Sequence, residues 1–428
     1  MNKVNIALLG FGNVGQGVWK ILCTNREEIM KRCGYDIEVS KILIRDLEKK
    51  RSMDIPQGIF TTNPEDILGD PSIKIVVELM GGPEPAFDYM ITAMKKKKHV
   101  VTANKLVLAT QGEKLFKTAQ EEDVHFYYEA SVGGGIPIIR EINESLTANR
   151  IDYLAGIING TTNYILTRMA QDNMDFSAAL KEAQEKGFAE ADPTSDIEGY
   201  DAAYKLAIIS SLSFGKRINY ENIYREGITK ISAEDIAYAK KFGYAIKLLA
   251  IAKRDHERLE LKVNPVMIPS THPMASVNDS YNAIFIKGNA VGSLMLYGRG
   301  AGDLPTGSAV VGDIISILKN TTDTNLYNPV AKAAPGNMVK PWDENLSGYY
   351  VRLDVKDQPG ILGKVSTIFG NNCVSILTMT QDIINKDHVS LVFITHDALQ
   401  GNINKSIASI KLLDMVNSVE SLIRIESL

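Results

Sequence analysis

The chain has 428 residues, 45% of them apolar and 23% charged, and its 47 basic and 51 acidic side chains give a net charge of −4. That length suits roughly three domains of about 150 residues, with cores large enough to need no disulfide or metal staple. The charge balance argues against nucleic acid as the main partner, since a phosphate backbone calls for a concentrated positive face. Cys23, Cys33 and Cys373 are scattered and odd in number, with no CxxC pair or zinc set, so a reduced, cytoplasmic setting is expected. The N-terminus lacks a basic segment followed by a long apolar one, and no window reaches 18 uninterrupted apolar residues. No membrane span or leader is expected.

From residue 1 to about 130, apolar strand-like runs alternate with helical patterns. The runs are Val4–Leu9, Ile37–Ile44, Ile75–Leu79, His99–Thr102 and Val124–Tyr128; helices are expected at 13–31, 85–97 and 113–122. This alternation predicts a parallel sheet with right-handed crossovers. From 131 to 320 the pattern is α+β. Strands are expected at 152–159, 244–252 and 259–268, and helices at 161–170, 176–186, 200–212 and 233–242. A glycine-rich stretch, 298–312, then opens a helix at 313–318. Residues 321–347, broken by Pro329, Pro335 and Pro341, read as a linker. In 348–428 the order βαββαβ predicts a ferredoxin-like domain. Lys95 to Lys98 read as a solvated helix terminus, and the six histidines carry no recognisable triad or metal spacing.

Gly10-Phe11-Gly12-Asn13-Val14-Gly15 is a GxGxxG that follows a strand and opens a helix. Gly10 allows the tight turn, Gly12 lets the backbone approach a pyrophosphate, and Gly15 permits close helix–strand packing, as in a Rossmann-type nucleotide-binding domain. The helix N-terminus offers unpaired N–H groups to the phosphates. The second strand ends at Arg45 and Asp46, with Lys49, Lys50 and Arg51 just beyond. Arginine there suits the 2′-phosphate of NADP, which we favour over NAD; Asp46 keeps NAD open.

Glu190, Asp192, Asp196, Glu198 and Asp201 place five carboxylates in twelve residues, and Lys205 follows Asp201 by four, on the same helix face. An ordinary reading is a solvated acidic loop. However, Ala183 to Lys205 closely resembles the signature of homoserine dehydrogenase. The resemblance extends through Thr102-Ala103-Asn104-Lys105, Asn159-Gly160-Thr161-Thr162-Asn163-Tyr164 and Gly298 to Thr306, and covers nearly all of residues 1–320. It implies NAD(P)H-dependent, reversible reduction of L-aspartate 4-semialdehyde to L-homoserine. Lys205 and Lys105 would be the catalytic proton-transfer groups, with Lys105 near the nicotinamide. Glu190, Asp201, Asp196, Thr161, Gly160 and Gly187 would hold substrate, and Thr102 and Gly302 would join the glycine turn around the cofactor.

Glu129 to Pro137 contains three consecutive glycines, which suit either a domain-crossing turn or carbonyls converging on a hard cation. The resemblance implies a monovalent cation, sodium, held by the Glu129 side chain and the carbonyls of Val132, Gly134 and Ile136. Asp357-Gln358-Pro359-Gly360 enters the first helix of the C-terminal unit, which resembles an ACT domain. That implies pairing with its own copy and a threonine effector lined by Gly360 and the strand after Asn372, or dimerisation alone. The expected architecture is thus a Rossmann-type domain at 1–130, completed by part of 300–320. A substrate-binding, catalytic and dimerisation domain follows at 131–320, and then a regulatory domain at 348–428, in a homodimer or homotetramer. Two readings compete: another amino-acid-related dehydrogenase on this scaffold, and a sensor without turnover.

Overall fold

The computed structural model describes residues 2–49, 53, 55, 56, 58–319, 338–383, 385 and 388–428. Lys50 and Arg51, and residues 321–337 of the expected linker, lie outside the described residues. The chain forms two compact units: Met1–Asp152 with Tyr204–Glu221 and Asn282–Ala334, and Tyr153–Ala203 with Asn222–Tyr281 and Pro335–Leu428.

In the first unit, β1 (Asn2–Leu9), β2 (Tyr35–Leu43), β3 (Phe60–Thr61), β4 (Ile73–Glu78), β5 (His99–Thr102) and β6 (Phe126–Tyr127) form a six-stranded sheet. Its order is β3-β2-β1-β4-β5-β6 and every pairing is parallel. Ile6 to Leu9 are fully buried, as a strand covered on both faces requires. The order reverses between β1 and β4, which opens a crevice at their carboxyl ends.

The helices of this unit are α1 (Asn13–Thr24), α2 (Arg26–Cys33), α3 (Glu65–Leu68), α4 (Ala86–Lys95), α5 (Lys105–Glu121), α6 (Ile138–Arg140) and α12 (Asp303–Lys319). The single helix expected at 13–31 breaks at Asn25 (φ −106°, ψ 14°), and α2 stops at left-handed Gly34. The helix expected from 113 begins eight residues sooner, because Asn104 Oδ1 accepts the Val107 N–H at 3.2 Å and caps it. Likewise α12 begins at Asp303, not at 313. Pro305 falls in its first turn, where a missing N–H loses nothing. Gly307 lets α12 press on α1: a Cβ there would lie 2.9 Å from the main chain of Gly17 and Val18. Two strands not read in the sequence, β11 (Tyr281–Gly288) and β12 (Gly292–Arg299), lie side by side, with Gly292 left-handed at the turn (φ 73°).

Lys98 departs from the expected solvated run. It is buried, and its ammonium donates to the Ile73 carbonyl at 3.0 Å and to the Asp70 carbonyl. Burial pushes its pKa down.

The second unit holds β7 (Ile151–Ile157), β8 (Tyr224–Arg225), β9 (Tyr244–Asp255) and β10 (Arg258–Pro269), with α7 (Gly160–Asp172), α8 (Phe176–Glu185), α9 (Thr194–Ile197) and α11 (Ala233–Lys241). The helix α10 (Tyr200–Phe214) contributes residues to both units. The strands β9 and β10 pair antiparallel along their full lengths. The chain then builds β13 (Leu346–Lys356), α13 (Ile361–Asn371), β14 (Ile376–Ile383), β15 (His388–Thr395), β16 (Ala398–Leu399), α14 (Gln400–Ile410) and β17 (Val416–Ile425). Apart from the short β16, this is βαββαβ, with sheet order β17-β13-β15-β14 and antiparallel pairings. Its core sets Tyr349, Val351, Leu353 and Val355 against Val365, Phe369, Ile403 and Ile410. The alternation of β13 is what buries that row on one face.

This C-terminal layer is fastened to its own unit by buried charge. Arg352 Nε donates to Asp235 Oδ1 at 2.8 Å, and Asp235 forms a reciprocal capping box with Ser232 at the start of α11. No described helix is long and apolar enough to cross a membrane.

Candidate active site

The glycine turn lies at the crevice of the parallel sheet and lines a cavity of ≈ 770 Å³. Gly10 has φ 103°, and a Cβ there would fall 2.7 Å from the Leu79 carbonyl, so only glycine makes the turn. A Cβ on Gly15 would fall 2.8 Å from the Gly10 carbonyl, whereas one on Gly12 would meet nothing within 4 Å and would enter open space. That is the division of labour expected of a pyrophosphate turn. Phe11 and Asn13 also line the cavity, and Val14 sits in the first turn of α1. Arg45, Asp46 and Lys49 line the same cavity, so it carries cationic and acidic groups as well as the glycine turn.

The neighbouring strand ends are organised by a carboxylate that sequence reasoning missed. Glu78 is fully buried at the end of β4; its Oε2 accepts from Thr102 Oγ1 at 2.6 Å and its Oε1 from the Met80 N–H at 2.7 Å. Asn104 Nδ2 donates to the Gly82 carbonyl at 2.7 Å. These bonds fix the loops that follow β4 and β5. Lys105, half-buried, is the first residue of α5, directly after that anchored loop. Lys205 is buried on α10. Leu108, Ala109 and Gly112 of α5 line a small cavity with Ala207, Ile208 and Ser211 of α10. Arg217 pairs with Glu113 of α5 beside it. The two lysines therefore sit just ahead of the helix stretches that face each other.

The acidic segment of the second unit separates into distinct roles. Asp201 is 2% exposed, and Asp196 is half-buried on α9. Asn159 joins them: its Nδ2 donates to Asp196 Oδ1 at 2.7 Å and to Asp201 Oδ2 at 2.8 Å. Asn159 also caps α7 through the Thr162 N–H, and the residue was missed although asparagine before a helical pattern is a start signal. Gly160 and Thr161 open that helix, and Thr161 Oγ1 donates to the Phe188 carbonyl at 2.7 Å. Gly187 is left-handed (φ 76°) and turns the chain toward Glu190. Glu190 is exposed, and its carboxylate makes no hydrogen bond or ion pair among the described residues. Asp192 instead folds back on Thr194, and Glu198 on Thr229. Asp196 and Asp201 are thus brought together, while Glu190 stands apart with its charge open.

At the triple glycine, both oxygens of the Glu129 carboxylate are already engaged. Oε1 accepts the Ile139 N–H and Oε2 the Arg140 N–H, each at 2.8 Å, which closes the start of α6. The same carboxylate thus also holds the start of a helix, and each oxygen keeps a further lone pair. Gly134 is left-handed, and a side chain there would run into the Gly300 carbonyl, so these glycines also allow two backbones to touch. The Ile136 carbonyl accepts the Ile138 N–H at 2.8 Å. Gly302 (φ 133°) ends the stretch ahead of α12. Burial raises the Glu129 pKa to about 7, and burial followed by the Glu129 charge raises that of Asp313, which accepts the Glu129 N–H at 2.9 Å. Arg140 Nη2 lies 3.3 Å from Asp313 Oδ1 and offsets part of the charge of this buried pair. No group of three or more histidine, cysteine, aspartate or glutamate side chains suited to a metal occurs among the described residues.

A family profile described as homoserine dehydrogenase matches residues 137–315, and one described as homoserine dehydrogenase, NAD binding domain, matches residues 10–129. The homoserine dehydrogenase of Bacillus subtilis is 39% identical over 432 residues, covering 100% of this chain and 99% of that one. A crystal structure of a homoserine dehydrogenase from Thiobacillus denitrificans superposes with a TM-score of 0.94 at 43% identity, over 100% of this chain and 99% of that one. A hyperthermophilic archaeal homoserine dehydrogenase in complex with NADPH gives a TM-score of 0.64 at 27% identity, over 75% of this chain and 99% of that one.

Proposed function

The chain belongs to the homoserine dehydrogenase family, an NAD(P)-dependent oxidoreductase acting on a CH–OH group, and we propose that it does so with Lys205 and Lys105 moving the proton and NADP(H) as preferred cofactor. Its substrates are L-homoserine and L-aspartate 4-semialdehyde. The observation that carries the cofactor reading is the cavity lined by the glycine turn together with Arg45 and Lys49. A 2′-phosphate would meet two cations there, against the single carboxylate of Asp46. The open space beside Gly12 suits the pyrophosphate, and Thr102 and Gly302 complete the pocket in this reading.

When bound, the nicotinamide supplies or accepts the hydride at the substrate carbon. The protein manages the charge that this leaves on oxygen. An ammonium in hydrogen-bond reach of the carbonyl stabilises the developing oxyanion and donates the proton. Lys205, buried on α10 one turn beyond Asp201, is our principal donor, and Lys105 is the second. Glu190, with its open carboxylate, and Asp201 hold the substrate's ammonium and hydroxyl; Asp196, Thr161, Gly160 and Gly187 shape that turn.

The finer organisation is also our reading. Residues 1–130, with part of 300–320, form the nucleotide domain, 131–320 the substrate and dimerisation domain, 321–347 a linker, and 348–428 an ACT domain. The βαββαβ order of the last supports it. Threonine is its proposed effector near Gly360, and a homodimer or homotetramer in the cytoplasm is the proposed assembly. A sodium ion would be held by the Glu129 side chain and the carbonyls of Val132, Gly134 and Ile136, in a structural role rather than in the chemistry. The test is homoserine oxidation measured with NAD and NADP side by side, with and without threonine. NADP-favoured turnover lowered by threonine supports the reading; equal use of both cofactors removes the assignment of Arg45.

A further inference from the structure

We propose that Asn159 is a positioning residue of the substrate site, a neutral amide that sets the spacing of the Asp196 and Asp201 carboxylates. This rests on reading Asp201, supported by Asp196, as substrate-holding, and adds the element that holds the two in place.

Three segments meet at this one side chain: the start of α7, the short helix α9 and the start of α10. Every hydrogen-bonding position of the amide is in use. Nδ2 donates one proton to Asp196 Oδ1 at 2.7 Å and the other to Asp201 Oδ2 at 2.8 Å. Oδ1 accepts from the Thr162 N–H at 2.8 Å and from Thr162 Oγ1 at 2.9 Å. The side chain is buried, so water does not substitute freely for any of these partners.

The chemistry explains why an amide stands here. Two carboxylates converging on one point repel, and an unbridged pair would spread or take up a proton. A lysine or arginine between them would hold them more strongly, but it would also neutralise the charge that must attract a substrate ammonium. An aspartate offers no donor, and a serine offers one proton where two are needed. Asparagine aligns both carboxylates and leaves their charge intact. Asp201 starts the helix that carries Lys205 one turn later, so the same amide also steadies the N-terminal end of that helix.

Asn159 also caps α7, and the test must separate capping from positioning. Serine and aspartate cap helices about as well as asparagine. Asn159→Ser and Asn159→Asp therefore keep the cap and lose the double donor. For Asn159→Ser the expected result is a thermal midpoint close to the parent's and unchanged NADPH binding by fluorescence titration, whereas Asn159→Asp, with a third buried carboxylate, should also lower the midpoint. The KM for homoserine should rise about tenfold to a hundredfold, the effect of losing a charge-assisted hydrogen bond. Asn159→Asp should be the worse of the two, since it adds a third carboxylate. Asp201→Asn is measured in parallel, and the Asn159→Ser/Asp201→Asn pair should lose less than the product of the single losses. If Asp201→Asn is impaired while both Asn159 variants keep the parent KM, the positioning role is overturned and the substrate reading stands. If Asp201→Asn itself behaves as the parent, the substrate reading falls and takes this proposal with it. If Asn159→Ser loses stability and NADPH binding together, the residue is a helix cap and nothing more.

Discussion

Glu78 and Thr102 are register partners at the ends of neighbouring parallel strands, and Thr102 Oγ1 donates to Glu78 Oε2 at 2.6 Å where neither residue is exposed. The same hydroxyl accepts the Asn104 N–H at 3.0 Å, and the other carboxylate oxygen accepts the Met80 N–H. One buried carboxylate thus ties down both loops at the mouth of the nucleotide cavity. Burial pushes its pKa up, while the bonds from Thr102 and Met80 pull it back. Thr102→Val keeps the shape but orphans Glu78 Oε2 and the Asn104 N–H. It should lower stability by about 1–3 kcal/mol. The check is urea unfolding: a lower midpoint with an unchanged slope is expected, and a parental midpoint would show the hydrogen bond to be dispensable.

Arg45 faces the nucleotide cavity, and its worth depends on the second phosphate. Arg45→Ala should raise the KM for NADPH about tenfold to a hundredfold, the scale of one charged hydrogen bond, and leave that for NADH within about twofold. Raised salt should narrow the gap between parent and variant, since the interaction is screened. Parallel loss with both cofactors would assign Arg45 to folding of the loop instead.

Lys205 and Lys105 are assigned to the proton, not to the nucleotide. Lys205→Ala should therefore lower kcat about 10²–10⁴-fold and leave NADPH affinity unchanged. Lys105→Ala should lower turnover as well, with some loss in cofactor binding because it follows the loop anchored through Thr102 and Asn104. Stopped-flow absorbance at the NADPH band reads both. Near-parental turnover in Lys205→Ala would hand the principal role to Lys105.

The residues explain which features could be read in advance. The GxGxxG was legible because each glycine answers a local steric demand: positive φ at Gly10, open space at Gly12 and a close backbone at Gly15. The start of α12 was not. Glycine and proline at Pro305 and Gly307 look like a loop until the surface of α1 that they fit is known. Glu78 ends an apolar run and carries no pattern of its own; its meaning arises from the strand beside it. Glu129 was noticed as a carboxylate near converging carbonyls; that it also holds the start of α6 depends on where residues 139 and 140 fold, which its own sequence does not show. Asn159 advertised a helix start; its bond to Asp201, 42 positions away in the chain, depends on tertiary closure.

His99 gives a pH dependence with a defined sign. Its Nδ1 accepts the His125 N–H at 3.0 Å, which requires that nitrogen to be unprotonated in the fold. Burial, helped by the charge of His125, pushes its pKa down to about 4 from 6.5. The folded state then binds fewer protons than the unfolded chain between those values. Stability from this group is fully present above pH 6.5 and drains away as pH falls toward 4, by about 3 kcal/mol. His99→Gln should flatten that part of the stability profile. Chemical denaturation at pH 7, 5.5 and 4.5 checks it. An equal slope in parent and variant would place the acid sensitivity elsewhere.

Arg352 and Asp235 are both buried, with Nε and Oδ1 2.8 Å apart, and Asp235 also accepts from Tyr350 Oη at 3.0 Å. Removing the cation leaves a buried carboxylate that still caps α11 through Ser232 but has lost its charge partner. Arg352 also reaches the more exposed Glu234, which contributes little in water. The loss should come almost wholly from Asp235, and Arg352→Ala should destabilise the protein by about 3–5 kcal/mol. Arg352→Met, paired with Asp235→Leu, should recover only part of that: no buried charge remains, but the Tyr350 hydroxyl and Ser232 lose their acceptor. Thermal unfolding of the single and the double variant decides the matter. A single variant within about 1 kcal/mol of the parent would mean that water reaches Asp235 and that the C-terminal sheet is fastened mainly through the short β10–β17 pairing at Val266 and Met267.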